Sequence, residues 1–119
     1  MNREDFIQKL KVSSPHLDEN RIIEILRKSI DSNMGDGNPR GHYNLIIVME
    51  EMGELIQQIS KQLRCKGDKY ELLEEVADVE LCLYYILEIC GISVDELNQA
   101  INVKADRLNN VLTEKGTYQ

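Results

Sequence analysis

A chain of 119 residues with 21 Asp and Glu against 14 Lys and Arg has a formal charge of −7, which excludes the basic face that a long nucleic acid partner requires. Its 13.7 kDa suit a single domain, 1–119, with a modest core, because a chain this short buries only about two thirds of its unfolded surface. The most apolar stretch, Val76 to Cys90, falls short of the roughly 20 residues that a membrane span needs and contains Asp78, Glu80 and Glu88, so neither a span nor, behind an acidic N-terminus, a secretory leader is expected.

Both proline residues lie outside the long periodic segments, which leaves helix as the expected state and an all-α fold of four to five helices as the expected architecture. Arg3 to Val12 carries Phe6, Ile7 and Leu10 at helical spacing and stops at Ser13-Ser14-Pro15. A second helix runs from about Pro15 or Asp18 to Ser32 on a stripe of Ile22, Ile23, Leu26 and Ile30. Met34 to Gly41 is rich in glycine and is the one substantial loop, of the kind that often covers a ligand.

From Asn44 to about Lys66, Leu45, Val48, Met49, Met52, Leu55, Ile56, Ile59 and Leu63 fall at the spacing of an amphipathic helix. Tyr70 to Cys90 is apolar nearly all round beyond Val76, which predicts the most buried element, with Gly91 as its C-cap. Ser93 and Glu96 form a capping box that starts a last helix to about Leu112, and the tail 113–119 is expected to be frayed. Of the cysteines Cys65, Cys82 and Cys90, the last two stand eight residues apart on one helix, about 12 Å, and cannot bridge. A reduced, cytoplasmic setting is expected.

Glu51 and Glu54 are three residues apart, as are Glu75 and Asp78, so each pair projects from one side of its helix. One such pair is ordinarily solvated surface. In an antiparallel hairpin, however, facing residues have position numbers of constant total, and Glu51 with Asp78 and Glu54 with Glu75 share that total. The hairpin turn near Gly67 lies two or three residues from the ideal centre, an offset of about 3 to 4.5 Å that Glu side chains absorb. Cys82, Tyr85 and Ile89 flank the second pair. Converging, partly buried carboxylates must protonate or hold a cation. An all-oxygen set selects Mg²⁺, or Mn²⁺ in its place, over Zn²⁺ or copper, and the absence of Glu-x-x-His on this helix pair excludes a ferritin-like di-iron site.

The last helix has an apolar stripe of Leu97, Ala100, Ile101, Leu108, Val111 and Leu112, with Lys104 near its centre and Arg107 at its edge. Either Lys104 snorkels past its neighbours, or Lys104 and Arg107 face the metal as phosphate contacts.

Glu50-Glu51-Met52-Gly53-Glu54-Leu55 followed by Glu75-Val76-Ala77-Asp78 resembles the EExxE…ExxD signature of the MazG-like all-α nucleoside triphosphate pyrophosphatases, and the likeness extends over about 44–112. It implies Glu51, Glu54, Glu75 and Asp78 as Mg²⁺ ligands, Glu50 as an acid that orients water, and Lys104 and Arg107 as contacts of the leaving pyrophosphate. It further implies cleavage between the α and β phosphates and assembly as a homodimer or homotetramer. His42, Asn44 and Tyr85 are candidates for a base or ribose pocket, though caps and packing residues of these types are common. Related enzymes often stack the base on tryptophan; this chain has none, which leaves base choice open. Two alternatives compete: a sibling enzyme, either a phosphoribosyl-ATP pyrophosphohydrolase or an all-α dUTPase, and a non-catalytic helical dimerisation module whose acids are solvated.

Overall fold

A computed structural model describes residues 1–35 and 37–115. Five helices occupy them in the order α1 Arg3–Val12, α2 Glu19–Ser32, α3 His42–Leu63, α4 Lys69–Cys90 and α5 Val94–Lys115, and there is no strand among the described residues beyond an isolated bridge between Gly35 and Asn38. Among the described residues no helix is long and apolar enough to cross a membrane.

Short polar side chains start four of the helices by accepting the backbone N–H groups that the first turn leaves unpaired. Asn2 accepts from Asp5 N at 2.9 Å, Asp18 from Arg21 N at 3.1 Å, and Asp68 from Tyr70 N at 2.7 Å and Glu71 N at 3.2 Å. Ser93 and Glu96 form the expected reciprocal box, with each side chain accepting from the other's backbone at 3.1 Å. The cap at Asp18 settles the start of α2.

The helix spanning the acidic signature differs from expectation at both ends. It begins at His42, earlier than Asn44, because the chain turns at Pro39 and Gly41, with His42 N bonded to Pro39 O at 3.1 Å. It ends at Leu63 rather than Lys66 because Cys65 adopts a left-handed φ of 57°, which lets Lys66 N close back on Lys61 O at 2.9 Å in a Schellman-type turn. At the other end of the chain α5 continues past Leu112 to Lys115, and 116–119 of the expected frayed tail lie outside the described residues.

α4 is the hub, with α3, α2 and α1 each packed against it. Leu26 and Ile30 of α2, Val48 of α3, and Cys82 and Leu87 of α4 form the buried core. Arg3 ties α1 to the first turn of α4 through Asp68 at 2.7 Å and Glu71 at 2.6 Å, while Glu88 near the end of α4 holds Arg27 at 2.8 Å and Arg40 at 3.6 Å. Exposed pairs of this kind contribute little to stability because solvent screens them; the pairs to Glu88 hold α2 and Arg40 over the end of α4. α5 adds little to this packing beyond its first turns, where Val94 and Leu97 are half-buried, and none of its described side chains is fully buried. The molecule consequently measures 56 × 36 × 29 Å.

Gly41 sits where the loop enters α3. It is buried, its φ is +85°, and a Cβ there would lie 2.7 Å from Ile89 Cγ2. Both the left-handed backbone and the approach to Ile89 oppose any side chain. Gly41→Ala is expected to lower stability by about 2 to 4 kcal/mol, read from the midpoint of urea unfolding.

Candidate functional site

α3 and α4 run antiparallel from the tight turn at 64–68, and the face of α3 that meets α4 is not wholly apolar. Asn44, Val48, Glu51, Leu55 and Gln58 follow one another along it at steps of three and four, so a carboxylate enters the helix seam between two aliphatic residues. Across the seam Glu75 stands in the first half of α4. One carboxylate oxygen each from Glu51, Glu54 and Glu75 lies within 4.8 Å of the others. Asp78 stands outside that triad but lines the hollow beside it.

The electrostatics follow from this crowding. Burial pushes Glu75 up from about 4.5 to about 8, helped by a hydrogen bond with Glu51 and by the charges of Glu51, Glu54 and Asp78. Asp78 is raised as well, by burial first and then by Glu51, Glu74 and Glu54. Glu51 Oε2 and Glu75 Oε1 are buried and lack a partner among the described residues. With both groups ionised neither has a proton to donate, so a proton shared between them or a cation is what can satisfy these oxygens. The field reaches one turn further along α4, where the buried Cys82 thiol is raised to about 11 by burial and by Glu51, Asp78 and Glu75.

The other residues singled out by sequence fall in three places. Glu50 is exposed on α3, beside the triad in sequence but outside it. Asn44, 4 % exposed, and Tyr85 meet at one serine of α2: Tyr85 OH donates to Ser29 Oγ at 2.8 Å and Asn44 Nδ2 reaches the same oxygen at 3.4 Å. They join α2, α3 and α4, and Asn44 Oδ1 is left without a partner. His42 is exposed in the first turn of α3. Lys104 and Arg107 are exposed on α5, which does not pack on the α3–α4 pair, so the same chain does not bring them over the carboxylates.

A hollow of about 340 Å³ opens beside the triad, lined by Gln58, Lys61, Glu71, Glu74, Glu75 and Asp78. Gln58 and Lys61 were not among the residues sequence reading selected. Their signal was available, since Glu51, Glu54, Gln58 and Lys61 follow at steps of three, four and three along one edge of α3. Gln58 Oε1 is a further buried acceptor without a donor among the described residues, and Lys61 is the only cation among the described residues of the lining. A larger hollow of about 490 Å³ lies between α2 and the turn from α4 to α5. Of its charged groups, Arg27 and Glu88 pair with each other, Glu96 is engaged in the cap with Ser93, and Asp95 is exposed; the buried acceptors without a partner that gather about a hollow are those beside the smaller one.

Two outcomes follow for the metal-free protein. The folded chain keeps the Glu75 proton that the unfolded chain releases near pH 4.5, so stability should fall as pH rises from about 4.5 through about 8. Thermal melts in EDTA are expected to show this decline, and Glu75→Gln to flatten it. Thiol labelling under native conditions should modify exposed Cys65 and Cys90 and spare buried Cys82 until denaturant is added.

Comparison of the chain with models of protein families, with curated proteins and with solved structures returned no match.

Proposed function

We propose that this chain is a MazG-like pyrophosphohydrolase that converts a nucleoside triphosphate and water to the monophosphate and pyrophosphate. In this reading Glu51, Glu54, Glu75 and Asp78 hold a divalent cation, Mg²⁺ or Mn²⁺. The observation that carries it is that Glu51 and Glu75, within a three-carboxylate group, each keep a buried oxygen that no donor from the rest of the described protein reaches. Such a group suits a hard cation because every donor is oxygen. Solvated surface acids do not leave oxygens buried and unpaired, which is why a non-catalytic module is the weaker reading.

The neighbouring residues support a polyphosphate as substrate. The surroundings of the hollow are acidic, so a bare anion would be repelled, whereas a bound Mg²⁺ would offset phosphate charge and make an attached water more acidic. Glu54 is the exposed member of the triad and stands where solvent water approaches. Glu50, exposed beside it, is the acid suited to orient that water. Lys61, on the rim of the same hollow, is suited to hold a phosphate oxygen. Lys104 and Arg107 steady the leaving pyrophosphate in this reading by reaching the groove of a neighbouring chain, so the active form is a homodimer or homotetramer. The setting is the cytoplasm, where the substrate is a free nucleotide.

Pyrophosphate release is the test. With a panel of ribo- and deoxyribonucleoside triphosphates, Mg²⁺-dependent release of equal amounts of pyrophosphate and monophosphate is expected. Glu54→Gln is expected to lower it about a hundredfold or more, without loss of helicity. No release from any nucleotide, together with melting temperatures that Mg²⁺ does not move, overturns the reading.

A further inference from the structure

The unsatisfied acceptors along the seam between α3 and α4 are of two kinds. Glu51 and Glu75 each keep a buried oxygen that no donor from the rest of the described protein reaches, and a proton shared by the two acids or a cation held between them answers both. Gln58 Oε1 is buried and unreached as well, but it belongs to a carboxamide. It bears no charge and brings no proton, so what it lacks is an N–H or O–H group to accept from. The hydrogen bond that Glu75 makes goes to Glu51, and Lys61, in the lining of the same hollow, does not reach the amide oxygen.

The position of Gln58 narrows the source of that donor. Glu51, Glu54 and Gln58 stand at steps of three and four on α3, so Gln58 occupies the next turn of the acidic edge, about 6 Å beyond Glu54 and about 10.5 Å beyond Glu51 along the helix axis. It faces the hollow of about 340 Å³ together with Glu75 and Asp78. At about 30 Å³ for each water, the hollow has room for several. A side chain two turns from Glu51 stands too far along the helix to share one ion with it, yet within reach of what such an ion carries. Mg²⁺ gives up its hydration reluctantly and keeps several waters when carboxylates hold it, and a bound divalent cation makes its waters strong donors.

We propose that Gln58 Oε1 accepts a hydrogen bond from a water of the cation on the hollow side of the carboxylates, which makes Gln58 a positioning residue for the hydrated ion and not one of its direct ligands. This rests on the reading that Glu51, Glu54, Glu75 and Asp78 hold a divalent cation, and it adds to the four acids a neutral side chain that tightens binding without adding negative charge. Two effects of opposite sign follow. In the ion-free protein the buried oxygen without a donor lowers stability; with the ion bound, the same oxygen raises affinity. A residue that only packs does not act on the ion at all. An amide turned over, with its NH₂ group toward Glu75, would stabilise the ion-free protein instead.

Mn²⁺ titration followed by the paramagnetic resonance of the free ion, together with thermal melts in EDTA, tests this on the wild-type chain and on Gln58→Met, Gln58→Glu and Glu54→Gln. Gln58→Met keeps the length of the side chain and loses the acceptor. It is expected to weaken Mn²⁺ binding about tenfold or more and to raise the melting temperature in EDTA. Gln58→Glu retains an acceptor oxygen at the same reach and is expected to bind Mn²⁺ at least as tightly as the wild type. A wild type that takes up no Mn²⁺ overturns the cation reading and this inference with it. Binding that Glu54→Gln weakens and Gln58→Met leaves unchanged overturns this inference alone, as does a Gln58→Met chain that melts lower than the wild type in EDTA, or a Gln58→Glu chain that binds as weakly as Gln58→Met.

Discussion

Glu51 and Glu75 face each other across the seam between α3 and α4, and that opposition constrains the structure around it. A seam between two helices is ordinarily closed by aliphatic side chains. Here two carboxyl groups occupy its middle, the burial that the fold imposes disfavours their charge, and Glu54 and Asp78 add further negative potential from the open side. The stabilisation that keeps α3 against α4 must therefore come from above and below the acids. Val48 and Cys82 supply apolar burial on one side, and the Ser29 cluster with Asn44 and Tyr85 ties both helices to α2. The cost of the acids is borne locally, and the remaining contacts are arranged so that the seam does not open in response.

Helix number and most helix limits were legible in the sequence because they rest on local chemistry. Asp18, Asp68, Ser93 and Gly91 each act through neighbours within a turn, and the periodic apolar residues leave little choice of secondary structure. The end of α3 was not legible, because Cys65 takes a left-handed conformation for which glycine two residues later was the better candidate. The pairing of the acids was partly legible. Constant-total register paired Glu54 with Glu75, which do lie close, and Glu51 with Asp78, whereas Glu51 also lies close to Glu75 and Asp78 stays outside the closest group, as the turn's displacement toward Gly67 would shift the facing residues.

The basic residues show where single-chain reasoning stops. Lys104 and Arg107 stand on an amphipathic helix whose stripe is plain in the sequence, and periodicity reports that a helix has a buried side without reporting against what. The same ambiguity affects α3, whose apolar residues form two stripes. One stripe meets α4 and the other is open, and a list of apolar positions does not separate them. Gln58 and Lys61 were overlooked for a related reason, since they continue the polar edge of α3 past the signature that drew attention to its first two members.

The tight turn that joins α3 to α4 acts as a ruler. Each residue added to or removed from 64–68 would shift the facing helices by about 1.5 Å and turn the register of side chains by about 100°, separating acids that now meet. The exposed described residues of α5 are under no such restriction. A change of length would therefore be tolerated in α5 and disruptive at the hairpin, so any chain built on the same pairing of acids would keep one fixed distance along the sequence between its two acidic pairs.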